Sequence, residues 1–170
     1  MNNWTKMTLL TAGLVLAGCD NSSYLGSGDT YNTVPDGSTA EAGSVEDPTS
    51  IAHFQEVIGD RVLFLVDQST LNENGRLTVL AQANWLLANA EYTAVIEGHA
   101  DEQGTREYNL ALGARRASAV RELMIAQGVS EGRLRTVSYG KERPLEVCSE
   151  ESCYAQNRRA VTILTAGLSG

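Results

Sequence analysis

Two oppositely charged residues, Asp101 and Arg116, are the side chains best suited by type and position to bind a small charged ligand. Asp101 lies in residues 98–105 (GHADEQGT), between a predicted strand and a predicted helix, where free amide groups attract anions. At about 100° per residue, Arg116 falls in the middle of the apolar arc of that helix. An unpaired buried guanidinium costs several kcal/mol, so Arg116 requires a carboxylate or a ligand.

Arg116 has two interpretations. In one, it forms a structural ion pair, with Asp101 itself as a candidate partner. In the other, Asp101 binds an ammonium group and Arg116 grips a carboxylate as a two-pronged fork, so that the couple recognises a zwitterion. Asn109 lies two turns before Arg116 on the same line of the helix.

An enzyme is not predicted. His99, Asp101 and Glu102 are adjacent turn residues and cannot converge as a hydrolase requires, and His53 lies in another segment. With two histidines and three cysteines the chain has few ligands for zinc or an iron–sulfur cluster, so we expect no metal and no cofactor. A net charge of −8 argues against nucleic acid as a partner, because phosphate binding relies on a basic surface.

The predicted elements alternate in the manner of an α/β domain. Hydrophobic residues make up 42% and charged residues 20% of the chain, as in soluble globular domains. We expect a short helix over residues 50–57, a long helix that starts at Asn72 or Asn74 and ends near residue 89, and another over 105–127. An apolar stripe over residues 77–87 is expected to lie in the core. Strands are expected over 61–66 (buried on both faces), 92–97, 135–139 and 160–164, and the last returns antiparallel after a long loop without a helix.

The N-terminus reads as a processing signal. A short apolar stretch ends in Leu16-Ala17-Gly18-Cys19, which resembles the lipobox of bacterial lipoproteins, where the cysteine becomes the acylated first residue. The alternative is an ordinary secretory signal with a chance cysteine. If Cys19 carries lipid, Cys148 and Cys153 remain as a disulfide pair in an oxidising compartment.

Three regions are therefore predicted: a signal peptide over residues 1–18, a lipidated cysteine with a disordered tether over 19–50, and one domain over 51–170. The tether is rich in Gly, Ser, Thr, Asn and Asp and has little that could form a core. As a flexible coil it would reach roughly 30 Å from the anchor.

Three segments, EGHADEQGTREYNLALGARRASAV, VSYGKERP and QNRRAVTIL, resemble the OmpA-like peptidoglycan-binding domain family, and the lipobox points to its lipid-anchored members. The likeness runs from Val62 to Leu164. It implies a βαβαββ α/β sandwich, with two main helices on a four-stranded mixed sheet.

The resemblance also implies a function: noncovalent binding of peptidoglycan through the meso-diaminopimelate of its stem peptide. The implied ligand-binding residues are Asp101 and Arg116, with Asp67 in the loop after the first strand, and Asn109 and Arg158 on the rim. A TolB-like periplasmic partner, a role in the Tol–Pal system and an outer-membrane anchor follow from the same likeness. A structural envelope lipoprotein without direct wall binding is the alternative.

The sequence departs from the family pattern at three positions. Ala100 replaces the usual threonine before the aspartate, and Asp67 follows LFLV where an aromatic residue is usual. Asp20 follows the lipid cysteine, and in enteric-type sorting an aspartate there retains lipoproteins in the inner membrane. A flagellar-stator relative would require a spanning helix that carries an acidic residue, which this sequence lacks.

Overall fold

The computed structural model describes residues 41–147 and 149–166. The predicted signal peptide, Cys19, most of the tether and Cys148 lie outside the described residues.

Four strands form one mixed sheet in the order β1-β4-β2-β3: β1 (Arg61–Leu63), β2 (Tyr92–His99), β3 (Leu134–Gly140) and β4 (Arg159–Ala166). β2 runs parallel to β3 and antiparallel to β4, and β1 pairs antiparallel with β4, so the predicted antiparallel return is confirmed.

The helices begin where the sequence places polar caps. α1 (Ile51–His53) starts after Ser50 and continues into a π-helical turn (Phe54–Gly59). α2 (Glu73–Ala88) starts after Asn72, whose side chain accepts a hydrogen bond from the Gly75 amide. α3 (Arg106–Ala126) starts after Thr105, which accepts one from Tyr108 in the same way. A 3₁₀ turn (Glu131–Arg133) leads into β3, and α4 (Glu151–Asn157) precedes β4.

The core lies between the sheet and the helices α2 and α3. Its buried side chains include Phe54, Val79, Leu86, Ile96, Val120 and Met124. The predicted stripe on α2 is only partly core, because Leu77 and Leu87 are exposed. None of the helices within residues 41–147 and 149–166 is long and apolar enough to cross a membrane.

Two elements differ from the sequence prediction. The strand expected over residues 61–66 ends at Leu63, and Leu65 and Val66 are exposed rather than buried on both faces. The pairing with β4 ends at Leu63, one further backbone hydrogen bond joins the Phe64 amide to the Arg158 carbonyl at 2.8 Å, and the chain then leaves the sheet as a loop. The connection expected to lack a helix contains α4, which has no apolar repeat to predict it and is held by polar contacts.

The end of the predicted tether packs against the domain. The carbonyl oxygen of Pro48 accepts a hydrogen bond from the indole of Trp85, and that of Thr49 accepts one from the Tyr92 hydroxyl. The Ser50 hydroxyl donates to the carbonyl of Ser44. Residues 44–50, predicted as the end of the tether, are therefore in contact with one another and with the domain.

Helix α3 crosses β2 at two facing glycines. A Cβ atom on Gly98 would lie 1.8 Å from the carbonyl oxygen of Gly113, and one on Gly113 would lie 2.5 Å from the Ser138 hydroxyl. The backbones touch directly, and this contact fixes the start of α3 against the end of β2, where Asp101 follows.

We predict that Gly98→Ala lowers the free energy of unfolding by about 3 kcal/mol, because the added methyl forces helix and strand apart. Gly132→Ala is the control, since the atom nearest to its added Cβ would be 4.0 Å away. Denaturant unfolding of both variants measures the effect. Equal stability of the two variants would show that α3 and β2 are not in direct backbone contact.

Candidate functional site

A pocket of about 260 Å³ opens between the loop after β1, the loop after β2 and the first turns of α3. Its position at the carboxyl end of β2 and the N-terminus of α3 is the one that the sequence predicts for a ligand. The wall is mixed, with two carboxylates, two amides, a phenol and aliphatic groups. The lining residues are Val66, Asp67, Asp101, Gln103, Gly104, Tyr108, Asn109 and Leu112.

Asp101 is held in the pocket wall by two contacts. Its Oδ1 accepts a hydrogen bond from the Gln103 amide at 3.2 Å, and its Oδ2 accepts one from Nη1 of Arg158 at 3.2 Å. The carboxylate is buried, yet it retains lone pairs beyond these two bonds, since an ionised carboxylate offers about four acceptor positions. It is therefore an oriented acceptor for a cationic group.

Arg116 is fully buried beneath the pocket, and its guanidinium joins three carbonyl groups. Nε donates to Gln68 at 2.8 Å, Nη1 to His99 at 2.8 Å and Nη2 to Leu65 at 3.2 Å. Both interpretations of the sequence gave the Arg116 guanidinium a carboxylate as its partner. In the structure, backbone carbonyl oxygens accept its hydrogen bonds instead. Arg116 thus fastens the loop after β1 to the end of β2.

Burial lowers the pKa of Arg116 to about 10, and the negative charge of Asp101 acts in the opposite direction. The guanidinium stays protonated at neutral pH. Its positive charge lies outside the pocket lining and makes the electrostatic potential near the pocket more positive.

Asp67 has the left-handed backbone conformation (φ 57°), in which aspartate is tolerated better than most residues. Its Oδ1 accepts a hydrogen bond from the Tyr108 hydroxyl, so the loop after β1 is tied to α3 across the pocket. The family resemblance implies backbone contacts at this position, whereas the structure also places the side chain in the pocket lining.

The other two predicted residues support the site in different ways. Asn109 is buried, lines the pocket and donates from Nδ2 to the Gln103 carbonyl at 2.8 Å, which shapes the loop after β2. Arg158 lies behind Asp101 and is paired with it and with Glu151 of α4. Burial acts to lower the pKa of Arg158, but the hydrogen bonds and charges of these two carboxylates outweigh it, and its pKa lies above its ordinary value.

The structure therefore brings all five predicted residues to one region. Asp67, Asp101 and Asn109 line the pocket, and Arg116 and Arg158 lie behind its wall. Sequence reasoning missed Tyr108 and Gln103. The N-cap at Thr105 places Tyr108 in the first turn of α3, so helical spacing was a signal that could have found it.

The predicted disulfide is only partly visible. Cys153, in α4, is a disulfide cysteine. Cys148 lies outside the described residues, so the pairing of these two cysteines stays a prediction. In the described part of the chain, no group of three His, Cys, Asp or Glu side chains is placed to hold a metal ion.

Comparisons with known proteins show the family. The family model described as "OmpA family" matches residues 63–158. A peptidoglycan-associated lipoprotein from Mesorhizobium japonicum is 48% identical over 94% of this chain and 90% of its own. The chain belongs to the OmpA family, among the peptidoglycan-associated lipoproteins. It is a non-enzymatic protein of that family, as the sequence predicts.

Solved structures agree with this membership. The crystal structure of the peptidoglycan-associated lipoprotein from Burkholderia pseudomallei is similar at a TM-score of 0.63 and 34% identity, covering 71% of this chain and 98% of that one. The C-terminal domain of Helicobacter pylori MotB shares the fold alone, at a TM-score of 0.60 and 20% identity, over 64% of this chain and 86% of that one. The predicted α/β sandwich is thereby confirmed.

His99 connects the site to the outer face of the sheet. Its carbonyl holds Arg116, and its ring is buried against Tyr139, with neither ring nitrogen hydrogen-bonded. Burial, followed by the charges of Arg159 and Arg143, lowers its pKa to about 4. A carboxylate oxygen of Glu97 lies 3.6 Å from Nε2 but does not offset these effects.

This burial of neutral His99 predicts a pH dependence of stability. Between its ordinary pKa of 6.5 and its folded pKa of about 4, the unfolded chain binds a proton that the folded chain excludes. We expect stability to be lost as the pH falls through that window, by up to about 3 kcal/mol. The difference in unfolding free energy between the wild type and His99→Phe, measured at pH 7 and pH 4.5, isolates this effect. A difference that is the same at both pH values would contradict it.

Proposed function

We propose that this protein binds peptidoglycan noncovalently, through the meso-diaminopimelate of the stem peptide. The observation that carries the proposal is a pocket lined by the Asp101 carboxylate, with the buried cation Arg116 near enough to interact electrostatically with Asp101. The names of the relatives, which are peptidoglycan-associated lipoproteins, support the same ligand. The end of a diaminopimelate side chain carries an ammonium and a carboxylate on one carbon. Asp101 in the pocket wall and Arg116 behind that wall supply an opposite charge for each.

The ligand's ammonium fits Asp101, whose remaining lone pairs are the natural acceptors in the pocket wall. The ligand's carboxylate is attracted by the Arg116 charge and by the N-terminus of α3, a helix that runs from Arg106 to Ala126. The exposed side chain of Tyr108 also lines the pocket and offers a surface to the rest of the stem peptide. The pocket is small, which suits the end of one side chain rather than a glycan strand.

Binding to whole walls tests the proposal most simply. We expect the soluble chain that starts at Asp20 to sediment with purified diaminopimelate-type sacculi, and we expect Asp101→Asn to reduce the bound fraction at least tenfold, because it removes the charge that faces the ammonium. Glu107→Gln, an equal charge change on an exposed residue in the first turn of α3, is the control. If folded wild-type chain stays in the supernatant, it is an envelope lipoprotein without direct wall binding.

The pocket also predicts a preference between peptides. A lysine-type stem peptide lacks the side-chain carboxylate and so loses one charge-assisted interaction, worth about 1.5–3 kcal/mol. We expect it to bind about 10- to 150-fold more weakly than the diaminopimelate peptide. The loss is limited because the Arg116 guanidinium already has three carbonyl acceptors.

Calorimetry of the two peptides measures this preference, and Arg116→Lys tests whether the three carbonyl contacts of Arg116 support the pocket. A lysine keeps the charge but cannot bridge three carbonyls, so the variant should bind both peptides more weakly, and circular dichroism checks that it folds. Equal wild-type affinity for the two peptides would contradict recognition of a zwitterion.

We further propose that Cys19 is lipidated and anchors the protein in the outer membrane, with the domain in the periplasm. The lipobox supports the anchor, and the acidic tether with its wall-binding domain supports the outer membrane, although Asp20 matches the enteric inner-membrane retention rule. A TolB-like partner and membership of the Tol–Pal system, in which the protein would hold the outer membrane to the wall, complete the proposal.

The anchor predicts that Cys19→Ser yields a folded protein that leaves the membrane. Stable anchoring requires more than one acyl chain, and the variant would carry none. Membrane flotation after a salt wash measures the membrane-bound fraction, with the wild type as the control. A variant that still floats would contradict lipidation at Cys19.

A further inference from the structure

The carboxylate proposed to bind the ligand's ammonium already has a cationic neighbour. Nη1 of Arg158 lies 3.2 Å from Oδ2 of Asp101, and the side chains of both residues are almost fully buried. A one-to-one ion pair of this kind would leave Asp101 electrically neutralised. A ligand cation would then have to compete with a buried guanidinium that cannot move into water.

A second carboxylate shares that guanidinium. Nη2 of Arg158 donates to Oε1 of Glu151, at the start of α4. Nε of Arg158 donates to the Phe64 carbonyl at 3.3 Å, so all three kinds of guanidinium nitrogen are engaged. The row Asp101–Arg158–Glu151 contains two negative charges and one positive charge. The charges of Arg116 and Asp67 also act in this cluster, and because they are opposite the net charge stays at −1, which leaves Asp101 able to attract a cation.

We propose that Glu151 is a positioning residue for ligand binding. Its carboxylate partly neutralises the positive charge of Arg158, and Asp101 therefore keeps its affinity for the ligand's ammonium. This inference rests on the proposed function. Glu151 acts through Arg158 and lies outside the pocket lining. Its side chain is 65% exposed, so solvent weakens the pair and limits the effect.

The inference also gives α4 a role. The helix is held against the preceding loop by Asn157, whose Oδ1 accepts from the Leu145 and Glu146 amides at 2.7 and 3.1 Å. The disulfide cysteine Cys153 lies in the same helix. These contacts fix Glu151 relative to Arg158, which immediately follows the helix, and make α4 a support for the site.

The experiment compares two forms of one ligand in three proteins. The ligands are a stem peptide with free meso-diaminopimelate and the same peptide with its side-chain amine acetylated, which removes the ammonium. The proteins are the wild type, Glu151→Gln and the matched control Glu150→Gln, which makes the same charge change one residue away. All are soluble chains from Asp20, with thermal melts to verify folding.

We expect Glu151→Gln to lower the affinity for the free-amine peptide about threefold to tenfold and to leave the affinity for the acetylated peptide unchanged. Glu150→Gln should have the wild-type affinity for both peptides. An equal loss for both peptides would show a merely structural role and overturn the inference. So would an effect no larger than that of Glu150→Gln. If the wild type does not prefer the free-amine peptide, the proposed function itself fails, which is a distinct result.

Discussion

The guanidinium of Arg116 donates from helix α3 to carbonyl groups of two separate chain segments, the loop at Leu65 and Gln68 and the strand end at His99. These segments form opposite sides of the pocket. A buried backbone carbonyl without a hydrogen-bond donor destabilises the fold by about 1–3 kcal/mol. Removing this guanidinium would leave several carbonyls without their donor at once. One side chain thus satisfies all three carbonyls and holds together the two segments that lead into the pocket lining.

This arrangement explains the choice of arginine. Its planar fork reaches acceptors in different directions and stays charged when buried, whereas a lysine offers one point charge that loses its proton more readily. The ring of Phe64 adds a cation–π contact, with its centroid 5.3 Å from the guanidinium carbon. The positive charge is thereby retained below the pocket, and two carboxylates, Asp67 and Asp101, remain at its surface.

Most of the fold could be predicted because its signals are local. Polar caps and the alternation of elements indicated α2, α3 and the antiparallel return of the last strand. The length of β1 could not be predicted, because the apolar run continues past Leu63 while the strand pairing ends there. Helix α4 was missed because it has no apolar stripe and is held by polar contacts of Asn157 instead.

The five residues predicted for the site lie in one region of the structure, but the contacts among them could not be predicted from the sequence. The helical spacing of the apolar residues predicted that Arg116 lies on a buried face, and a buried charge requires a partner. It could not show that the partners are carbonyls, since backbone acceptors leave no trace in residue types. The pairing of Asp101 with Arg158 joins residues far apart in the sequence and arises from the position of β4 beside β2. Such contacts follow from the tertiary structure and not from local pattern.

A crystal structure of the soluble chain with a diaminopimelate stem peptide tests the central claim most directly. The account predicts the ligand's ammonium within hydrogen-bond distance of Asp101, its side-chain carboxylate on the side of Arg116, and the three carbonyl contacts of Arg116 still in place. A peptide bound outside this pocket would contradict the account. So would a complex in which Arg116 binds the peptide and no longer donates to the carbonyls of Leu65, Gln68 and His99.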